Sequence, residues 1–167
     1  MRKFVSLLSI LIISLPVFGQ NIPRGANVIV LQTNYSKISD AVKMTVARLI
    51  DGGITIANAD IELGFVNTNP YSNQNVTNQA TISFQESENG VIIKLSGVFF
   101  SGIDISLWGV STRDKQETIE YVGQNGSLYM QAWDGLERIA KLIEHSTASF
   151  LTPLKSKNHK FSDPLYL

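Results

Sequence analysis

The spacing of hydrophobic positions in the first third of the chain changes from a strand pattern to a helix pattern. Residues Asn27–Thr33 contain a β-branched run that predicts a well-covered strand. Apolar side chains then recur every three or four residues, which predicts an amphipathic helix over about Lys37–Asp51. Its apolar face consists of Ile38, Val42, Thr45, Val46, Leu49 and Ile50. We expect Ser36 or Ser39 to cap the first turn and Gly52-Gly53 to end the helix.

Beyond these glycines, alternating apolar residues predict a second strand that changes phase once. One phase is carried by Ile54 and Ile56, and the other by Ala59, Ile61, Leu63 and Phe65. Because successive side chains of a strand point to opposite faces, we expect a bulge or bend near Ala57 and Asn58. Residues 67–78, which are rich in asparagine, predict a polar connection.

The next two apolar runs predict a β-hairpin. Strand three is indicated by Ala80, Ile82 and Phe84, and strand four by Val91, Ile93 and Leu95. Between them lies Glu88-Asn89-Gly90, whose Asn-Gly pair tolerates the positive φ angles of a tight turn. This hairpin is the most clearly specified one in the chain.

The stretch from Phe99 to Val122 is open to more than one interpretation. Ile103, Ile105 and Leu107 are spaced like a strand that leads to Trp108. Arg113–Glu117 has the composition of a solvated turn, and Ile119–Val122 is a candidate for a further strand. The stretch either completes the sheet or crosses its end.

A second helical pattern follows Asn125-Gly126-Ser127. Its apolar stripe contains Leu128, Ala132, Leu136, Ile139 and Ile143, and it is widened by Tyr129, Trp133, Ala140 and Leu142. So wide a stripe is expected to lie across the sheet. Pro153 is expected to stop helical structure, and residues 153–167 form a polar C-terminal tail.

These elements predict an α+β domain in the order β-α-β-β-β-(β-β)-α. The sheet is expected to be antiparallel, with a helix after strand one and a long C-terminal helix packed on one face. The domain is expected to span residues 20–152.

The first 19 residues have the pattern of a secretory signal peptide. Arg2 and Lys3 precede an apolar run over Phe4–Leu15, and Val17 and Gly19 offer small residues before a cleavage site. Pro16 ends the run before the ~20 apolar residues that a membrane span needs. We therefore expect cleavage after Gly19 and an exported, periplasmic or secreted product without a transmembrane span.

Composition narrows the function classes further. The 167 residues are 44% hydrophobic and 17% charged, with 14 basic and 14 acidic side chains. This balance argues against wholesale disorder and against a strongly basic nucleic-acid-binding protein. Since the chain has no cysteine, it has no disulfides, thiolate metal sites, cysteine nucleophiles or lipidated N-terminal cysteine.

One pattern resembles a known family. Gly53-Ile54-Thr55-Ile56, then Asp60, then Gly64-Phe65-Val66-Asn67-Thr68 follow an amphipathic helix. This arrangement resembles the helix-grip, or TATA-binding-protein-like, domains of exported bacterial envelope proteins, including the BamC-like lipoproteins. The similarity covers about Asn27–Phe100. It implies a small exported module with an accessory or scaffold role and provides no catalytic residues.

Candidate catalytic chemistry is sparse. The chain has two histidines. His145 is expected to interact with the end of the second helix, and His159 lies in the tail. The sequence lacks the motifs of serine hydrolases, P-loop nucleotide-binding proteins, zinc proteases and calcium loops. Asp60 and Glu62 are predicted to share an exposed strand face. We therefore expect a protein that is not an enzyme and binds no metal or cofactor.

Aromatic residues are the candidate binding group. Strands and the second helix contribute Phe84, Phe99, Phe100, Trp108, Tyr121, Tyr129 and Trp133. Core packing is the favoured interpretation. Alternatively, Phe84, Phe99, Trp108, Tyr129 and Trp133 line an apolar pocket between the sheet and the second helix.

Two hypotheses of function follow. The first is a non-catalytic module of the bacterial envelope that binds a protein partner through a sheet edge or the asparagine-rich loop. The second is a carrier for a small apolar ligand. No basic patch indicates nucleic-acid binding.

Overall fold

The computed structural model describes residues 21–100, 106–107, 110–111 and 116–153. Within them the chain is α+β as predicted, with one helix after the first strand and a second helix towards the C-terminus. Both helices pack on the same face of an antiparallel sheet. The predicted signal peptide, Trp108 and residues 154–167 of the tail lie outside the described residues.

The elements follow one another in a mostly local order. They are β1 (Val28–Gln32), α1 (Ile38–Asp51), β2 (Ile56–Asp60), β3 (Phe65–Thr68), β4 (Tyr71–Asn73), β5 (Val76–Ser87), β6 (Gly90–Phe100), β7 (Ser106–Leu107), β8 (Val110–Ser111), β9 (Gln116–Thr118), α2 (Leu128–Leu142) and β10 (Thr147–Leu151). The large sheet has the order β10-β1-β6-β5-β3-β2, with β4 beside β5 and β9 beside β6. Strands β7 and β8 pair only with each other among the described residues.

The predicted hairpin is confirmed as β5 and β6. The two strands pair continuously from Thr77 and Phe100 to Ser87 and Gly90. The positive φ angle of the turn, 120°, falls on Gly90 and not on Asn89. A Cβ at Gly90 would collide with the backbone oxygen of Thr33, so the close approach of β1 requires glycine there.

Helix α1 is confirmed, with two corrections at its ends. Gly53 adopts a φ of 77°, and the Ile54 N–H donates to the Leu49 carbonyl (2.8 Å), which closes the helix as a Schellman motif. Capping by Ser36 or Ser39 is wrong, because the N-cap is Lys37 and no side chain caps the turn. Ile50, which is predicted to lie on the buried face, is 58% exposed.

The predicted second strand is in fact two strands. Asp60 Oδ1 accepts the backbone N–H groups of Glu62 (2.9 Å) and Leu63 (2.8 Å), which closes a turn after β2. Leu63 is therefore 74% exposed, and the prediction that Asp60 and Glu62 share a strand face is wrong. The predicted bulge is confirmed by a register shift between Ile56 and Asn58.

The asparagine-rich stretch 67–78 is not a polar connection. It contains the end of β3, all of β4 and the start of β5. Its side chains Thr68 and Asn78 are fully buried, and Thr68 Oγ1 accepts the backbone N–H of Ala80 at 2.9 Å. Internal hydrogen bonds thus allow a polar sequence to form sheet.

The C-terminal third also differs from prediction. Helix α2 begins as expected, with Ser127 Oγ accepting the Met130 N–H at 3.2 Å, but it ends at Leu142 and the unpredicted β10 follows. The helix therefore ends well before Pro153. The predicted strand Ile119–Val122 is wrong, because the strand beside β6 is β9, which includes part of the predicted turn at Arg113–Glu117.

The hydrophobic core lies between the sheet and the helices. Fully buried side chains on the sheet side include Ile29, Leu31, Val66, Ile82, Ile93 and Leu95, and those on the helix side include Val42, Leu49, Leu136 and Ile139. The opposite face of β5 exposes Thr81, Ser83 and Gln85. Neither described helix is long and apolar enough to cross a lipid bilayer.

Candidate functional site

The four described candidate aromatic residues do not meet around one pocket. Phe84, Phe99 and Trp133 are buried, and Tyr129 is half-buried. Phe99 contacts Tyr129 edge to face, with ring centroids 5.0 Å apart, whereas Trp133 contacts Tyr121 and Phe150. Phe99 and Trp133 therefore belong to two separate groups of rings, and Phe84 is buried in the core.

Tyr129 also makes a charged contact at the surface of the first group. Its hydroxyl donates a short hydrogen bond to Glu117 Oε2. This bond is the main cause that raises the pKa of Tyr129 to about 12, and burial and the charges of Glu117 and Glu120 add to it. The bond links α2 to β9.

Trp133, Tyr121 and Phe150 form what we call the aromatic seam. Trp133 is fully buried, with ring centroids 5.7 Å from Tyr121 and 5.9 Å from Phe150. Its indole N–H donates to Glu137 Oε1 at 2.9 Å, so the polar end of the ring is satisfied. The aromatic seam holds α2 against β10.

Asn73, Asn78 and Gln131 form a contrasting group, which we call the amide seam. Asn73 donates to the Gln131 carbonyl, and Asn78 Nδ2 donates to the Ala132 carbonyl at 2.9 Å. Gln131 Oε1 accepts the Asn75 N–H at 3.1 Å, and Gln131 Nε2 donates to the Gly126 carbonyl at 3.2 Å. The amide seam holds the first turns of α2 against β4 and β5.

The amide seam leaves no room for a side chain at Gly135 and leaves two polar atoms unpaired. A Cβ at Gly135 would collide with Asn78 Nδ2. Asn78 Oδ1 and the Tyr71 hydroxyl are buried without a hydrogen-bond partner. Burial raises the pKa of Tyr71 to about 12, while Asn78 and Arg138 act in the opposite direction. Tyr71 and Asn78 are cross-strand neighbours.

The two edges of the sheet are built differently. Strand β2 carries the register shift between Ile56 and Asn58 and ends at Asp60, and a bulge and a charge are features that discourage pairing with another chain. Strand β10 pairs with β1 without a shift over five residues, and it contains neither a charged residue nor proline. Among the described residues, no strand pairs with its outer side.

A cleft of about 190 Å³ lies where the end of β1 meets the link between α2 and β10. We call it the Glu144 cleft, and it is lined by Asn34, Tyr35, Glu144, His145 and Ser146. His145 Nδ1 lies 2.7 Å from the Ile143 carbonyl oxygen; since a carbonyl only accepts, Nδ1 carries the proton. This contact agrees with the helix-end interaction expected for His145.

The Glu144 cleft is not among the sites predicted from the sequence. Asn34-Tyr35 and Glu144-His145-Ser146 each follow the end of an element, and these two polar segments are the only signal in the sequence. They lie more than one hundred residues apart, and the pairing of β1 with β10 brings them together. Because β10 was not predicted, this proximity was not predictable either.

Elsewhere, the described residues show no group of three or more histidine, cysteine, aspartate or glutamate side chains able to hold a metal ion. Comparison with models of known protein families and with curated proteins found no match. The resemblance to helix-grip domains therefore stays a prediction.

Proposed function

We propose that this chain is an exported, non-catalytic module of the bacterial envelope that binds a protein partner through β10. An extended segment of the partner would add to the sheet beside β10, with main-chain hydrogen bonds supplying affinity. The observation that carries the proposal is the outer edge of β10, with which no strand of the described part of the chain pairs. β10 is regular, uncharged and free of proline, whereas β2 at the other edge has a bulge.

Side chains on β10 fit this role. Thr147, Ser149 and Leu151 are exposed, and Leu151 exposes 48% of its surface. Phe150 lies on the other face of the strand and contacts Trp133, which anchors β10 to α2. The contact of Phe150 with Trp133 thus holds β10 in place, and the exposed side chains of this strand are available to give specificity.

Our two sequence hypotheses named two surfaces for a partner and one pocket for a ligand. The asparagine-rich stretch is committed to strands and to the amide seam, so the edge is the better-supported surface. No observation within the described residues favours an apolar pocket between sheet and helix, since Phe99 and Trp133 contact other rings.

Native mass spectrometry of the protein purified gently from its own source tests the proposal. We expect a complex with a protein partner that is lost in Ser149→Lys, because a lysine on the edge disfavours strand addition. Thr81→Lys is the matched control, since Thr81 is also exposed but lies on the central strand β5. Amide hydrogen exchange should show β10 protected only in the complex.

Two results would contradict the proposal. One is a retained molecule of a few hundred daltons without a protein partner, which would support the carrier. The other is equal loss of the complex in Ser149→Lys and Thr81→Lys, which would place the contact on the open sheet face or make it a general charge effect.

A further inference from the structure

Hydrogen bonds direct donors of two residues of the Glu144 cleft, Ser146 and His145, towards backbone oxygens. Ser146 donates both its backbone N–H (2.8 Å) and its hydroxyl (3.1 Å) to the Gln32 carbonyl. The Nδ1 proton of His145 is directed at the Ile143 carbonyl. Because these protons bond backbone oxygens, Ser146 Oγ offers lone pairs to any ligand in the cleft.

The charge of the cleft is negative. Glu144 is the one acidic residue among its five lining residues, and none of them is lysine or arginine. Glu144 is exposed and makes no ion pair within the described residues. Helix α2 ends at Leu142, so its partially negative carbonyl end lies beside the cleft.

The negative charge of Glu144 affects the pKa of Tyr35. Burial and then the Glu144 carboxylate raise the pKa of the Tyr35 hydroxyl, whereas Arg48 acts more weakly in the opposite direction. The phenol is therefore neutral at physiological pH, and its oxygen is one more hydrogen-bond acceptor on the wall of the cleft.

We propose that the Glu144 cleft binds a primary ammonium group. Such a group has one positive charge and three N–H donors and no acceptor, which complements a carboxylate surrounded by oxygen acceptors. Glu144 supplies the charge, and Asn34 Oδ1, Tyr35 Oη and Ser146 Oγ receive the N–H groups. Lysine side chains and small alkyl amines share this head group. The proposal does not depend on strand pairing at β10.

The test is an NMR titration of the protein expressed from its full-length gene and purified in the form that the cell accumulates. The probe is n-butylammonium, with butan-1-ol as the neutral analogue of equal heavy-atom number and propionate as the anion. We expect saturable shifts at the backbone amides of Tyr35, Glu144 and Ser146, with a Kd of about 1 to 10 mM for one half-open charged contact. Butan-1-ol and propionate should not produce them.

Variants distinguish a specific contribution of the Glu144 carboxylate from an effect of the overall charge of the protein. Glu144→Gln should weaken butylammonium binding by at least about fivefold, because it removes the charged acceptor. Glu120→Gln removes the same charge next to Tyr121, whose N–H bonds Ala26 just before the start of β1. It should leave the Kd unchanged, because the cleft lies at the other end of that strand. Tyr35→Phe should weaken binding less than Glu144→Gln does. Butyltrimethylammonium, which has no N–H donor, should bind more weakly than butylammonium.

Several outcomes would overturn the proposal. Equal shifts with butan-1-ol would show an apolar subsite, and equal weakening by Glu120→Gln would show a diffuse charge effect. An absence of saturable shifts would show that the cleft is not an ammonium site, while the Ser149→Lys experiment would still decide the function of β10. If binding is found, comparing butylammonium with Nα-acetyl-lysine-N-methylamide identifies a free amine or a peptide as the better source of the head group.

Discussion

Helix α2 is held to the sheet in two different ways at its two sides. Towards β10 the aromatic seam packs the ring of Trp133 between Tyr121 and Phe150. Towards β4 and β5 the amide seam joins Asn73, Asn78 and Gln131 to backbone groups. The first side gains stability from buried apolar area, whereas the second avoids the cost of burying polar groups by bonding most of them.

Substitutions should therefore have different effects in the two seams. An apolar contact loses energy in proportion to the atoms removed and to the cavity left behind. A closely packed, hydrogen-bonded seam is destabilised when one partner is removed or when one methyl group is added. Three substitutions and a change of pH test this contrast, in order of decreasing effect.

The largest effect is expected at the aromatic seam. Trp133→Ala should lower the free energy of unfolding by about 4 kcal/mol, because it empties a fully buried site. Urea denaturation followed by circular dichroism measures this value, and hydrogen exchange should become faster in β10 than in β2. Gln131→Ala is the control in the amide seam. A larger loss for Gln131→Ala would reverse our ranking of the two seams.

In the amide seam, Gly135→Ala should destabilise the protein by about 2 kcal/mol, although alanine favours helix by about 1 kcal/mol. The added Cβ would occupy the position of Asn78 Nδ2. A double-mutant cycle with Asn78→Ala checks the cause, since Gly135→Ala should cost much less in that background. Additive effects of the two substitutions would show that the collision is not the reason.

Alkaline pH should lower the free energy of unfolding, because Tyr71 and Tyr129 then lose their hydroxyl protons. Burial raises the pKa of Tyr71 from 10.0 to about 12, so the folded state holds this proton more tightly than the unfolded state does. The contribution of Tyr71 to the free energy of unfolding is complete below about pH 10. It is lost as the pH rises from about 10 to about 12, which lowers this free energy by about 2 kcal/mol. Tyr129, whose hydroxyl donates to Glu117, adds loss in the same direction.

Unfolding free energies measured across that pH range check the prediction. Tyr71→Phe should reduce the alkaline loss, and Glu117→Gln should reduce the part due to Tyr129. An unchanged slope in Tyr71→Phe would assign the whole effect to other groups.

The smallest effect is expected for Tyr71→Phe at neutral pH. The Tyr71 hydroxyl is buried without a hydrogen-bond partner, so its removal should change the free energy of unfolding by no more than about 0.5 kcal/mol. Thr45→Val is the matched control, since Thr45 Oγ1 is likewise buried and unpaired. A loss well above this value would show that the Tyr71 hydroxyl is bonded after all, to Asn78 or to a bound water molecule.

Apolar periodicity predicted much of this architecture. α1, α2, the β5–β6 hairpin and the bulge near Asn58 follow from residue spacing, because burial on one face leaves a repeat in the sequence. The amide seam leaves no such repeat. Because asparagine is typical of loops, the asparagine-rich stretch predicts a polar connection instead. The candidate site was less predictable still: four of its five predicted aromatic residues fall in two packed groups or in the core, and Trp108 lies outside the described residues.

Local spacing and turn residues such as Gly53 and Gly90 were sufficient to predict the α+β class, the positions of both helices and the central hairpin. Contacts between distant segments were needed to show that Asn78 is buried under Ala132, that β10 is an edge strand of the described sheet, and that Tyr35 and Glu144 line one cleft. Each of these depends on pairing between distant segments. Whether a polar residue lies in the core or in a site depends on the residues that it contacts. Those residues are distant in the sequence, so the local sequence does not identify them.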